Sequence, residues 1–135
     1  MKILEVENGE VKLRSTLTDL QSLEKLLNIC LEDGEIWRVG DTLTKSMNWV
    51  PHYGEEIYAK IRHHIFDIQT LQKALKGHEI EHVVSLEKFR ELCTMVDEAS
   101  LHIPDRSDMD KFCDHCVDLY IQLFAPEVSL SLIHI

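Results

Sequence analysis

Basic residues are scarce in this chain. Fourteen Lys and Arg stand against 24 Asp and Glu, which leaves a net charge of −10 over 135 residues. Nucleic-acid binding draws most of its affinity from phosphate neutralisation by Lys and Arg. The balance therefore argues against direct DNA or RNA binding, and equally against docking on an anionic membrane. A protein partner with a basic surface is more compatible, although solubility alone also accounts for an acidic surface. Glycine and proline are sparse, at five and three, which leaves no room for a long flexible linker. No apolar run approaches the ~20 residues of a membrane span. Acids interrupt Met1 to Val11, so no secretory leader is read there. These absences predict a cytoplasmic protein whose four cysteines stay reduced. Internal repeats are missing as well. So are the Gly-rich phosphate cradles and the Gly-x-Ser-x-Gly nucleophile elbow.

What remains is ordinary for a globular protein, with 44 % apolar and 28 % charged residues. The length predicts a single globular domain over residues 1–127, large enough for a core without disulfides. The apolar tail, Val128 to Ile135, alternates like a strand. Its last five residues, Ser-Leu-Ile-His-Ile, also resemble translated sequencing-adapter read-through. That resemblance implies a different native C-terminus and a tail without function.

Ile3 to Leu13 reads as a β-hairpin, because Asn8-Gly9 separates two alternating segments and both turn positions need φ > 0. A helix is expected from about Asp19 to Glu32, with Thr18 and Gln21 as a capping box and Gly34 as its stop. Glu35 to Lys45 reads as a second, weaker hairpin around Gly40-Asp41, and Ser46 to Gly54 as irregular. Ile57, Ile61, Ile65, Ile68, Leu71 and Leu75 mark a long helix over Glu55 to Lys76. Ser85 is placed to cap a helix running to about Ser100 with Leu86, Phe89, Cys93 and Val96 inside. Ser107 caps a last helix, which Pro126 stops. The sum is an α+β domain: a small antiparallel sheet from two N-terminal hairpins, covered on one face by three or four helices.

The stretch His78-Glu79-Ile80-Glu81-His82 admits two readings. Alternation puts His78, Ile80, His82 and Val84 on one face of a strand. As a helix, the same pentapeptide resembles the zincin metallopeptidase signature. On that resemblance His78 and His82 are zinc ligands and Glu79 is the general base for a metal-bound water. The sequence departs from the signature: Glu81 is charged, Lys76 stands two residues before His78, and Gly77 falls inside the required helix. A third ligand at a familiar spacing is also missing.

Cys113-Asp114-His115-Cys116 has the spacing of half a zinc site but no second Cys-x-x-Cys. Core packing explains these thiols and those of Cys30 and Cys93, since all four lie on apolar stripes. In the long helix, His64 borders the buried stripe and should have one nitrogen satisfied, while His63 points elsewhere.

Two surfaces are candidates for a partner. Trp49, His52 and Tyr53 lie in one short aromatic segment suited to an interface anchor. Asp108, Asp110 and Asp114 belong to an acidic helix beginning and face. The leading expectation is a binding module without a cofactor, of the size and charge of immunity proteins, antitoxins and phage-encoded inhibitors. A nucleic-acid mimic is one version of it. The alternatives are a compact zinc hydrolase using His78, Glu79 and His82, and an oligomer subunit or small-ligand sensor with its pocket between sheet and helices.

Overall fold

The computed structural model describes residues 1–32 and 51–124, with backbone alone at residues 32 and 51–57. Strands β1 (Lys2–Glu7), β2 (Glu10–Thr16) and β3 (Glu79–Ser85) form an antiparallel sheet in the order β1-β2-β3. Helices α1 (Leu17–Glu32), α2 (Pro51–Ala74), α3 (Leu86–Ser100) and α4 (Asp108–Phe124) complete an α+β fold. The third strand comes from the His-Glu segment. The expected hairpin at 35–45 lies outside the described residues.

The first turn forms as its dipeptide dictates: Asn8 and Gly9 have φ of 52° and 75°, which suits the right-handed twist of the flanking strands. A bulge between Ile3 and Glu5 shifts the β1 register against β2. Ile3 opposes Leu13 and Val6 opposes Val11, so an odd and an even position both turn toward the inner side. On that side Val11, Leu13 and Ser15 are buried. In β3 their partners are Val84, His82 and Ile80.

Helix α1 begins two residues earlier than its apolar stripe suggested, and its cap differs from the expected Thr18 and Gln21. Thr16 Oγ1 accepts from the Asp19 amide at 3.1 Å, and Asp19 Oδ2 accepts from the Thr16 amide at 2.9 Å. This is a reciprocal capping box in which the last strand residue is also the N-cap, so β2 passes into α1 without a loop. The Met1 ammonium lies 2.6 Å from the same Asp19 oxygen. Burial raises the Asp19 pKa, but that hydrogen bond, the Thr16 amide and the ammonium charge together bring it below the ordinary value.

Helix α2 also starts earlier than expected, taking in Pro51 to Gly54 from the stretch read as irregular. Proline at the first helical position has no intrahelical amide bond to lose and a suitable fixed φ. The helix ends at Ala74, and Gly77, at φ 89°, turns the chain toward β3. Ser85 caps α3 as expected, its side chain accepting from the Lys88 amide at 3.0 Å. The Leu86 amide donates to Gly9 O at 2.9 Å, tying the start of α3 to the hairpin turn.

One core cluster joins Leu20, Leu23, Leu27 and Cys30 of α1 to Ile61, Ile65 and Ile68 of α2, Met95 and Val96 of α3, and Cys113 and Cys116 of α4. A second lies beneath the sheet, where Val11 and Leu13 meet Phe89, Cys93 and Leu119. Each fully buried large side chain contributes ~1.5–3 kcal/mol. Among the described residues no helix is long and apolar enough to cross a membrane.

Candidate functional site

The strand reading of the His-Glu segment is the one the structure adopts. Glu79 to Ser85 pairs residue by residue with Glu10 to Thr16, and His78 precedes the strand as an exposed residue. The helical i, i+4 relation between His78 and His82 required by the zincin signature is therefore absent. Four residues of strand span ~13 Å, well beyond the separation of two nitrogens on one zinc ion.

The side chains of this segment are engaged in other contacts. On the outer face of the sheet Arg14 meets Glu81 at 3.0 Å and Glu79 at 3.6 Å, while Lys12 lies 3.5 Å from Glu81. The Arg14 hydrogen bond and then the Lys12 charge hold the Glu81 carboxyl below its ordinary pKa. On the inner face His82 Nε2 lies 2.8 Å from Ser15 Oγ, and Ser15 is fully buried. The His82 Nδ1 is buried without a hydrogen-bond partner. Desolvation lowers the His82 pKa, so the neutral ring is favoured. A serine sealed from solvent cannot reach a substrate, so this pair belongs to the packing between sheet and helices.

All four cysteines are buried free thiols. Burial pushes Cys30 and Cys93 up to about 12, with the Glu98 charge adding to the effect at Cys30. Burial, then Asp110, Asp114 and Asp97, takes Cys113 to about 11. Cys116 moves in the same direction, chiefly through burial. Thiols held neutral in this way are poor nucleophiles and poor metal ligands. Among the described residues no three His, Cys, Asp or Glu side chains are grouped to hold a metal ion.

His64 is 3 % exposed, and its Nε2 lies 3.0 Å from Glu91 Oε1. Lys60 approaches the other Glu91 oxygen at 3.8 Å. These residues line a groove of about 480 Å³ between α2 and α3, together with His63, Ser85 and Lys88. Lysines and glutamates both stand on its wall, so its field has no single sign. The expectation of a boundary histidine with a satisfied nitrogen describes His64; His63 is exposed and lies 3.8 Å from Asp67.

Of the acidic partner candidates, Asp108 and Asp114 are exposed on α4. Asp110 instead holds the turn before that helix. Its amide donates to Ser107 Oγ at 3.1 Å, and its Oδ2 accepts from the Arg106 amide at 3.0 Å. Arg106 itself has φ 63°, the left-handed conformation that this turn requires. Trp49 lies outside the described residues, and His52 and Tyr53 are described only as backbone of the first turns of α2.

A cleft of about 320 Å³ opens between α3 and α4, lined by Cys93, Thr94, Asp97, Val117 and Tyr120. Asp97 supplies the only charge among the described residues of this lining. The Tyr120 ring packs on Phe124 at 4.9 Å, and the Arg90 guanidinium sits 5.2 Å over the Phe124 ring. Sequence reading missed this cleft. Thr94 and Asp97 flank the buried stripe of α3, and only the packing of α3 on α4 sets them opposite Val117 and Tyr120. The chain matches no family model, no curated protein and no solved structure.

Proposed function

We propose that this protein is a small acidic binding module that acts by occupying a partner's surface, in the manner of an inhibitor, an immunity protein or an antitoxin. The observation that carries this reading is the fate of the acids. Lys12 and Arg14 pair with Glu79 and Glu81 on the sheet. No lysine or arginine among the described residues pairs with Asp97, Asp108, Asp114 or Asp118. Part of the surplus charge of −10 thus lies along α4 and the neighbouring part of α3, and part on the exposed Glu5, Glu7 and Glu10 of the hairpin. A surface of this kind steers a basic partner and raises the association rate. The residues with catalytic chemistry support the same reading, since the thiols are buried and neutral and His82 is turned inward onto Ser15.

The test begins with capture on the immobilised full chain at low salt, followed by association kinetics with each purified partner as salt is raised. The expected result is a basic partner whose association rate falls steeply with ionic strength. Tight binding indifferent to salt would remove the nucleic-acid-mimic version. Retention of no protein at low salt would remove the binding-module reading itself.

A further inference from the structure

The cleft between α3 and α4 combines three features that favour one class of ligand. Among the described residues its lining carries a single charge, the exposed Asp97 carboxylate. Its floor is apolar, with the neutral Cys93 thiol and Val117, and Tyr120 supplies an aromatic ring. Carboxylate, apolar floor and aromatic face together suit a cation on an aliphatic stem. The volume of about 320 Å³ is at the small end of ligand clefts, which run to ~1,000 Å³, and suits one side chain better than an extended ligand.

We infer that this cleft receives an arginine side chain of the partner protein, its guanidinium paired with Asp97 and lying against Tyr120, its stem over Cys93 and Val117. This inference rests on the binding-module reading above. Arginine is preferred to lysine because a planar guanidinium can meet a carboxylate in bidentate fashion and stack on a ring at once. The neighbouring ring already shows the preference: Phe124, packed against Tyr120, carries the chain's own Arg90 guanidinium. Arg90 does not fill the cleft. It lies seven residues before Asp97 on α3, about 10 Å along the helix axis, and is held at the Phe124 end.

The test is a titration of the full chain with N-acetyl-arginine amide, read by amide NMR shifts, with N-acetyl-citrulline amide as the uncharged isostere. Expected are saturable shifts confined to residues 93–97 and 117–121, no saturation with the citrulline compound, and about fivefold weaker binding in Asp97→Asn. Equal responses to both compounds, shifts centred on the Asp108 to Asp114 face, or an unchanged affinity in Asp97→Asn would each overturn the inference. The amide spectrum of the variant reports its fold in the same experiment. The two readings fail separately. Arginine amide bound in the cleft of a chain that retains no protein removes the partner reading alone. A salt-sensitive protein partner whose affinity ignores Asp97→Asn removes the cleft alone.

Discussion

Ser15 and His82 meet at 2.8 Å across the inner face of the sheet, between residues 67 positions apart in sequence. Removing the hydroxyl leaves His82 Nε2 without this partner, in a ring whose other nitrogen already lacks one. Ser15→Ala is therefore expected to cost ~1–3 kcal/mol, the range for stranding a buried polar group. Denaturant unfolding of the variant measures it. A loss below a few tenths of a kcal/mol would mean that the contact contributes nothing to the fold.

The same ring sets an acid limit on stability. Its folded-state pKa lies below the unfolded value of 6.5 because burial penalises the charged ring. As pH falls through about 6.5 the unfolded chain takes up a proton that the folded chain resists, so stability falls. His82→Gln, which keeps an amide to face Ser15, is expected to flatten the thermal midpoint against pH between neutrality and pH ~5. An equally steep profile in the variant would assign the acid sensitivity to other groups.

Thiols impose the opposite limit. Cys30 and Cys93 are raised to about 12 and Cys113 to about 11, whereas unfolded thiols ionise near ~8.5. A group raised on folding contributes stability that is present below its unfolded pKa and lost as pH rises toward the folded one. Stability should therefore decline above pH ~9. A disulfide-exchange reagent should label native thiols at the rate of opening and unfolded thiols at once. Prompt labelling of any of the four in the native protein would contradict their burial.

The caps show what can and cannot be read locally. At α3 the Ser85 hydroxyl, the Lys88 amide and the stripe Phe89, Cys93, Val96 lie within one short window, so cap, start and buried face were all legible. At α1 two Thr-x-x-polar patterns compete, Thr16 with Asp19 and Thr18 with Gln21. The choice falls to Thr16 because β2 pairs with β3 through Thr16 and Glu79, which holds Thr16 in extended geometry. Pairing over that distance carries no local signal. The His-Glu segment behaves likewise. Its alternation fits the strand, but its five letters also fit a metal helix, and only the register against β2 decides between them. The α3–α4 cleft is one step less legible, because it arises where two amphipathic helices fail to close on each other. Two substitutions test the cap assignment. Thr16→Ala should cost ~1 kcal/mol and Thr18→Ala under ~0.5 kcal/mol. The reverse order would restore Thr18 as the cap.

Asp108, Asp110 and Asp114 look equivalent as a run of acids, yet the fold uses them differently. Asp110 closes the turn before α4 by bonding to Ser107 and to the Arg106 amide, so Asp110→Ala should destabilise the chain by ~1 kcal/mol. Asp108 and Asp114 are exposed, and Asp114 makes no ion pair with a lysine or arginine among the described residues. The double variant Asp108→Asn, Asp114→Asn should therefore stay within ~0.5 kcal/mol of the parent. Asp108 also stands in the first turn of α4, where a carboxylate favours the helix dipole, so any small loss should come from that position. If these two acids steer a basic partner, the double variant should associate several-fold more slowly at low salt and converge with the parent as salt screens the field. Dissociation should change little, because rim charges act mainly on the approach. Thermal midpoints and association kinetics on the same preparations separate the two contributions. A double variant that folds normally and associates at the parent's rate at every salt concentration would move the contact surface away from α4.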